Sequence, residues 1–262
     1  YFGKLSDTMG RRLPFVRLGY GLSALAKPLM ALWPNAAWIF GGRSLDRLGK
    51  GIRSGARDAL LSDEATPETK GQVFGFHRSM DTLGAVLGPA IALVYLYFYP
   101  HNYKSLFFIA LAPGVLSILC TFLLREKQTK TTTGKKAIPI GVAITYWKGS
   151  SPVFKKLVGV LLLFALINSS DMFLLLHLKA SGTTDTQAIG MYIFYNLVYA
   201  LAAYPLGVLA DKIGLKKIML FGLGCFAVAY AGMAVSGSIY MHFALFFVYG
   251  LYAAATEGIS KA

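Results

Sequence analysis

The sequence predicts an all-α membrane protein that crosses the bilayer several times. Of its 262 residues, 55% are hydrophobic and only 15% are charged, whereas soluble domains carry about 25% charged residues. The mean hydropathy is +0.55. Several apolar runs also reach the roughly 20 residues that a helix needs to cross a bilayer. A soluble fold would expose too much of this apolar surface to water, so the composition favours a membrane protein.

Apolar runs separated by short polar connections place the spans along the chain. The predicted spans are 13–33, 36–59, 72–98, 104–124, 155–177, 187–210, 216–236 and 239–262. Residues 1–6 are expected to end an earlier span. The longest connection, residues 125–154, contains REKQTKTTTGKK and is typical of a polar, flexible loop. It divides the chain into a helix bundle at 1–124 and a second bundle at 155–262.

The distribution of Lys and Arg predicts the orientation. The loops around 8–17, 57–71, 125–156 and 211–217 are rich in basic residues, whereas the opposite turns hold only Lys104 and Lys179. Because cytoplasmic loops collect Lys and Arg, we expect a multi-pass protein of the inner (plasma) membrane with its central loop in the cytoplasm. This asymmetry explains most of the net charge of +14, so no nucleic-acid partner is expected.

An internal repeat links the two predicted bundles. GKLSDTMGRR at 3–12 matches GVLADKIGLK at 207–216, and each copy ends one span and precedes the next. The matched pairs are Gly3 with Gly207, Leu5 with Leu209, Asp7 with Asp211, and Gly10 with Gly214. Repeated helical halves that meet at a central cavity are a common way to build a transporter. The repeat therefore predicts two pseudo-symmetric bundles.

The stretch RSLDRLGKGIRSGARD, residues 43–58, places charge inside a predicted span. On a helix its polar side chains fall on one face. Charges inside a bilayer normally face a bundle interior or water and find partners. The candidates to line a hydrated cavity are Arg43, Asp46, Arg47 and Lys50. The alternative is that they form ion pairs that fix the helix in place.

Three acidic residues inside other spans are candidates for a substrate or proton pathway: Asp81, Asp171 and Glu257. Burial can raise the pKa of such a carboxyl group towards neutrality, whereas a nearby Arg has the opposite effect. Asp81 shares a helix face with His77, from which Arg78 is predicted to turn away, and is equally a candidate for an ion pair. Glu257 either pairs with Lys261, one turn away, or faces Lys50 across the cavity, since the repeat relates their positions.

With these motifs, the chain resembles the major facilitator superfamily. The signature of its loop between helices 2 and 3, G-x-x-x-D-x-x-G-R-[RK], is matched by Gly3, Asp7, Gly10, Arg11 and Arg12. The helix 5 antiporter signature is matched at Gly84, Gly88 and Pro89, but Leu93 and Val94 replace its final glycines. The helix 4 signature is matched at Arg43 and Gly49, whereas Asp46 and Arg47 replace its Gln and first Gly.

The resemblance implies a fold of twelve helices in two six-helix bundles, of which this chain would run from the end of helix 2 to helix 10 and be incomplete at both ends. In the family, the loop around Asp7, Arg11 and Arg12 holds the cytoplasmic side shut in the outward-open state. Asp211 with Lys216 would form a weaker second latch. The alternative for these residues is helix capping. Gly84, Gly88 and Pro89 would serve helix packing.

The sequence therefore predicts a secondary active transporter that works by alternating access, with proton-coupled export of a small molecule as the leading hypothesis. An anion transporter of the organic-anion or phosphate type is the alternative, and a non-transporting scaffold or sensor is the alternative of another class. No Walker motif, metal cluster or nucleophile–base pattern occurs in the sequence. We expect no enzyme activity, no cofactor and no metal, a proton gradient as driving force, and a full-length monomer in a lipid bilayer.

Overall fold

The computed structural model describes residues 2–33, 35–126, 147–168 and 171–262, without the side chains of residues 4, 7, 8, 157 and 167. These parts are helical and contain no β-strand, which confirms the predicted all-α fold. They form two compact units, one of residues 1–131 with 191–262 and one of residues 132–190. The predicted division into bundles on either side of 125–154 stays a prediction.

The helices follow the predicted spans closely. They are α1 Phe2–Met9, α2 Leu13–Leu32, α3 Ala36–Asp63, α4 Lys70–Phe98, α5 Tyr103–Ile109, α6 Leu111–Leu123, α7 Pro152–Ile167, α8 Asp171–Ala180, α9 Asp185–Ile213, α10 Leu215–Val235 and α11 Ile239–Thr256, with a short 3₁₀ helix at Ile259–Lys261. Two predicted spans differ from the structure. The span at 104–124 is interrupted at Ala110, because Pro113 has no N–H to donate to the carbonyl four residues earlier, and the span at 155–177 is divided into α7 and α8.

Six segments of the described residues are long and apolar enough to cross a membrane. They are Lys70–Phe98, Tyr103–Leu123, Pro152–Ala180, Asp185–Ile213, Leu215–Val235 and Ile239–Lys261. Helices α2 and α3 have the required length, 20 and 28 residues, but are not among the six because charged side chains lower their hydropathy. The charge that distinguishes α3 from the other long helices therefore needs a specific explanation.

In the first compact unit, α2 and α3 cross closely through glycines. A Cβ atom placed on Gly49 of α3 would lie 2.7 Å from the carbonyl oxygen of Gly19 and 2.9 Å from Oγ of Ser23. Arg53 flanks this contact, with its guanidinium carbon 4.3 Å from the centre of the Tyr20 ring and Nη1 donating to Oγ of Ser23 at 3.2 Å. The crossing fixes which face of α3 is buried.

A second close crossing joins α4 to α9. A Cβ atom on Gly71 would lie 2.6 Å from the carbonyl oxygen of Gly207, and one on Gly75 would lie 2.7 Å from that of Ala203. Ser79, one turn further along α4, donates to the carbonyl oxygen of Ala200. This crossing connects the first half of the chain, residues 2–126, with the second half, residues 191–262, so it matters for any movement between them.

Aromatic side chains build the core of the second half. Tyr195 of α9 lies with its ring centre 5.1 Å from that of Tyr249 of α11, and Phe226 of α10 lies 5.0 Å from Tyr252. Tyr195, Tyr249 and Tyr252 are all buried. Their packing, worth about 0.5–1.5 kcal/mol for each aromatic pair beyond buried area, holds α9, α10 and α11 together.

The second compact unit contains α7, α8 and the first turn of α9. Ser151 caps α7 by accepting from the backbone N–H of Phe154 at 3.3 Å. Thr184 and Gln187 form a reciprocal capping box at the start of α9, with the two bonds at 3.0 and 3.3 Å. Lys179 of α8 and Asp185 form an exposed ion pair at 2.7 Å. The bonds of Ser151 and Thr184 account for where α7 and α9 begin.

Candidate functional site

The charged stretch of α3 separates into a contact face and an exposed stripe. The helix begins after Asn35, whose side chain accepts from the backbone N–H of Ala37 at 2.9 Å. Gly42, Gly49, Ile52 and Ala56 are its buried residues. The four predicted cavity residues Arg43, Asp46, Arg47 and Lys50, which we call the α3 stripe, lie beside this face; Asp46 is half-buried and the three cations are exposed.

The α3 stripe has no acidic partner among the described residues. The structure shows no ion pair that involves Arg43, Asp46, Arg47 or Lys50 within those residues. Asp81 and Glu257, which sequence reasoning considered as possible partners of these cations, are engaged elsewhere. The alternative of interhelical ion pairs for the α3 stripe therefore finds no support in the described parts of the chain.

Arg78 of α4 is the centre of an ion cluster that sequence reasoning missed. Its Nη1 donates to Oδ2 of Asp81 at 3.2 Å, its Nη2 pairs with Oε2 of Glu257, and its Nε donates to the hydroxyl of Tyr199. We call these four residues the Arg78 cluster. The prediction that Arg78 turns away from Asp81 is wrong, because an Arg side chain is long enough to reach an acid three residues further along the same helix.

The Arg78 cluster joins the two halves of the chain. Arg78 and Asp81 belong to the first half, whereas Tyr199 on α9 and Glu257 just after α11 belong to the second. The side chain of Arg78 is 23% exposed and those of Asp81 and Glu257 are 50% and 51% exposed, whereas Tyr199 is buried. About half of each carboxylate side chain is therefore left uncovered by the described residues, while the carboxylate also contacts Arg78.

A second set of contacts lies at the end of the helices where the turns at 10–12, 64–69 and 214 are found. We call it the basic end because Lys and Arg residues flank these turns. Oδ2 of Asp58 accepts from Nζ of Lys261 at 2.8 Å, while its Oδ1 lies 3.2 Å from Nη2 of Arg57. Lys261 thus pairs with Asp58 rather than with Glu257. This ion pair is a further link between the halves.

Asp211 caps α4 at the basic end, so its partner differs from the one predicted. Its two carboxylate oxygens accept from the backbone N–H groups of Gly71 and Gln72 at 2.8 and 2.7 Å. These N–H groups belong to the first turn of α4, where the helix dipole favours a negative charge. The expected pairing with Lys216 is not what the structure shows, and α4 itself is the partner.

The first copy of the repeat lies at the same end. Arg12 pairs with Asp63, and the carboxylate of Glu126 accepts from the backbone N–H groups of Arg12 and Leu13 at 2.6 and 3.2 Å. Gly10 and Gly214, equivalent in the repeat, both have a positive φ, 61° and 104°, which glycine adopts without strain. Gly3 packs against Gly55 of α3, Arg11 is exposed, and the side chain of Asp7 lies outside the described residues.

The remaining predicted residues are Gly84, Gly88, Pro89 and Asp171. No described atom lies within 4 Å of a Cβ atom placed on Gly84 or Gly88, and Pro89 lies inside α4, so their role in helix packing stays a prediction. Asp171 is the half-buried first residue of α8 and belongs to the second compact unit. The described residues include no group of three or more His, Cys, Asp or Glu side chains that would hold a metal ion.

A cavity of about 680 Å³ opens between α2, α3 and α6. Its walls are mainly apolar, and Arg57, Asp63, Glu64, Arg125 and Glu126 contribute charged groups. It contains none of the α3 stripe and none of the Arg78 cluster. We therefore do not identify it as the substrate site.

Comparison with known protein families identifies the family to which this chain belongs. The family model of the Major Facilitator Superfamily matches residues 1–260. This chain belongs to the major facilitator superfamily.

Individual relatives agree with this assignment. The chain is 32% identical over 269 residues to an uncharacterised MFS-type transporter of Methanocaldococcus jannaschii, covering 99% of this chain and 65% of that protein. It is 25% identical to the multidrug resistance protein MdtL of Shewanella oneidensis, with 87% and 57% covered, and 27% identical to the multidrug resistance protein MdtG of Enterobacter lignolyticus, with 85% and 53% covered. The chain thus spans about half to two thirds of the length of these relatives.

Proposed function

We propose that this protein is a secondary active transporter that works by alternating access and exports a small molecule in exchange for protons. The observation that carries the proposal is the Arg78 cluster, in which two half-exposed carboxylates, Asp81 and Glu257, share one cation between the two halves. A carboxylate that gains a proton loses its ion pair, so proton binding can change the contact between the halves. The similarity to MdtL and MdtG supports the direction of export.

The expected setting follows from the same reasoning. The protein would lie in the inner membrane as a monomer, with the basic end and the 125–154 loop in the cytoplasm, because Lys and Arg concentrate there. The contacts of Asp58 with Lys261 and of Asp211 with α4 then close the cytoplasmic side, as in an outward-open transporter. No cofactor and no enzymatic step is needed, since the proton gradient supplies the energy.

Flux measurements test this function. The full-length protein is reconstituted in vesicles, and the movement of a fluorescent drug such as ethidium is followed with and without an imposed pH gradient. We expect the gradient to drive flux. Glu257→Gln and Asp81→Asn should each lower the driven flux by about 100-fold or more, as is typical when a proton-transfer group is lost. Asp185→Asn, which removes an exposed acid at an ion pair of the second unit, is the matched control. Flux that ignores the gradient in every variant contradicts proton coupling.

Anion transport is a second candidate, favoured by the α3 stripe. Three exposed cations without acidic partners among the described residues are costly inside a bilayer, and a carboxylate or phosphate group of a substrate would neutralise them. Arg offers a fork of donors suited to such groups. Under this alternative, Arg43, Arg47 and Lys50 bind the substrate and Asp46 limits the net charge.

Binding measurements separate the two candidates. Calorimetry with citrate and with inorganic phosphate is performed on the full-length protein in detergent. If the anion hypothesis holds, Arg47→Gln weakens binding by about 10-fold or more, because a charged hydrogen bond contributes about 1.5–3 kcal/mol. Lys104→Gln removes an exposed cation at the start of α5, outside the stripe, and should leave affinity unchanged. An equal effect of both substitutions, or no binding, contradicts the hypothesis for these anions.

A further inference from the structure

The charges of the α3 stripe are unpaired although partners lie within reach on the same helix. Arg43 is three residues before Asp46 and Lys50 is four residues after it, and both spacings bring side chains together on a helix. Arg78 and Asp81 of α4 have the same three-residue spacing and do form an ion pair. Within the described parts of the chain, the carboxylate of Asp46 and the three cations form none. The stripe therefore presents charges of both signs that a ligand can bind.

The part of α3 that carries the stripe is fixed against α2. The backbone carbonyl oxygen of Asp46 accepts from Oγ of Ser23 at 3.4 Å, and Gly49 makes the close crossing with α2 one turn further along. The neighbouring hydroxyl groups of Ser44 and Ser54 donate to carbonyl oxygens of their own helix at 2.8 and 2.6 Å, so they do not compete for the charges of the stripe. Because the helix is already held in place, binding a ligand here orders little of the backbone, which favours affinity.

The charges of the stripe specify the ligand by complementarity. Its three cations and one carboxylate leave an excess of two positive charges. A plain dianion would balance this excess but would bring negative charge next to Asp46, where like charges repel each other. A molecule with two acidic groups and one protonated amine satisfies both signs, because its acidic groups bind the cations and its amine binds the carboxylate. Charges inside a membrane are tolerated when they are paired in this way.

We propose that the α3 stripe binds a small amphoteric anion, a molecule with two acidic groups and one protonated amine. Arg43, Arg47 and Lys50 bind the acidic groups, for which the Arg fork of donors is well suited. Asp46 accepts a hydrogen bond from the amine and so selects amphoteric molecules over plain dianions. At about 1.5 Å per residue, the three cations extend over about 10 Å of the helix, enough for acidic groups several bonds apart. This proposal deepens the anion-transport candidate and rests on it.

Three matched probes test the class of ligand. Binding of glutamate, of glutarate and of 4-aminobutyrate to the full-length protein in detergent is measured by calorimetry at neutral pH. Glutarate is glutamate without its amine, and 4-aminobutyrate is glutamate without one of its two acidic groups. We expect glutamate to bind about 10-fold or more tightly than either, because each of the other two lacks a charged hydrogen bond. Glutarate that binds as tightly as glutamate overturns the proposal, and so does the failure of all three probes to bind.

Variants identify the group that selects the amine. Asp46→Asn should weaken glutamate binding by about 10-fold without weakening glutarate binding, whereas Asp46→Glu keeps a carboxylate and should retain the preference for glutamate. Arg47→Gln should weaken the binding of both. Asp185→Asn, which removes an exposed acid of the second unit, is the matched control and should change neither. If Asp46→Asn weakens glutamate and glutarate equally, Asp46 is structural and the proposal is wrong.

The same samples distinguish this proposal from the proposed functions. Monodisperse elution and an unfolding transition show that each variant is folded; if Asp46→Asn is not, the wild-type comparison of glutamate with glutarate decides. If glutamate is preferred through Asp46 but a pH gradient never drives flux, the ligand class stands and proton coupling is wrong. If citrate or phosphate binds through Arg47 but glutamate is not preferred to glutarate, anion transport stands and the role of Asp46 is wrong.

Discussion

The α3 stripe and the Arg78 cluster both contain Arg and an acidic side chain, but in opposite surroundings. Both place Arg and Asp within a few residues on one long helix. In α3 the cations are exposed and have no acidic partner among the described residues, whereas in α4 a single Arg has three partners on three elements. The difference lies in the neighbouring elements. Helix α3 packs against α2 through glycines, whereas α4 packs against α9, which supplies Tyr199, and against the segment after α11, which supplies Glu257.

This comparison shows how a charge inside a helix bundle can serve two purposes. A cation that the protein itself neutralises contributes to a contact between helices, and its removal leaves acids without a partner. A cation that the protein leaves open is available to a ligand and contributes little to folding. The two regions should therefore respond differently to the same substitutions.

The largest contrast is expected in accessibility to water. Cysteine placed at position 47 of the α3 stripe should react quickly with a charged methanethiosulfonate reagent in the full-length protein. Cysteine at position 79 should react slowly, because Ser79 is buried and donates to a carbonyl of α9. Labelling rates in membranes measure this. Protection at positions 43, 47 and 50 alike would remove the water-filled path and favour a non-transporting scaffold or sensor.

The next effect concerns stability. Arg78→Gln should lower the free energy of unfolding by about 1–2 kcal/mol, at the lower end for charged hydrogen bonds because both carboxylates are half exposed. Arg47→Gln should leave it unchanged within about 0.5 kcal/mol, as expected for an unpaired exposed side chain. Unfolding in detergent, followed by circular dichroism, compares the two. A loss of equal size for Arg47→Gln would show that the α3 stripe is structural.

Much of the fold was predictable because it depends on local patterns. The apolar runs and their boundaries placed the long helices to within a few residues, since length and hydropathy decide membrane spans. The interruption at Ala110 has a local signal in Pro113, which has no backbone N–H to donate. The repeat that contains Asp7 and Asp211 correctly located the turn before α10. The contacts of Asp211 and Arg12 show that turns predicted to share one side lie together at the basic end.

The Arg78 cluster was not predictable because it depends on the partner helices. Arg78 had a signal, as an Arg inside an apolar span, but a helical projection based on Cα directions ignores how far an Arg side chain reaches. Tyr199 had no such signal in the sequence, since a Tyr in a hydrophobic helix is common. The pairing of Glu257 with Arg78 rather than with Lys50 or Lys261 follows from how α4 packs against α9 and the end of α11, which no pattern within one helix encodes.

A pair of glycines sharpens the division of α3 into two faces. Gly49→Ala should destabilise the protein by about 1–2 kcal/mol, in the range for overpacked sites, because the new methyl group would meet the Gly19 backbone. Gly51→Ala, two residues away with nothing within 4 Å of its Cβ position, should be neutral or slightly stabilising, since Ala is the better helix former. The free energies of unfolding of the two variants test this difference. Equal destabilisation would mean that the second face is also packed.

The smallest expected effect comes from comparing two helix caps, one local and one supplied by the other half of the chain. Asn35 caps α3 from the adjacent residue, whereas Asp211 caps α4 from the end of α9. Replacing either by Ala should cost about 1 kcal/mol of unfolding free energy, the usual value for a lost cap. Only Asp211→Ala should also lengthen the distance between spin labels attached to cysteines at positions 68 and 216, because only that cap joins the halves. If Asn35→Ala lengthens this distance equally, or Asp211→Ala leaves it unchanged, the cap of α4 does not hold the basic end closed.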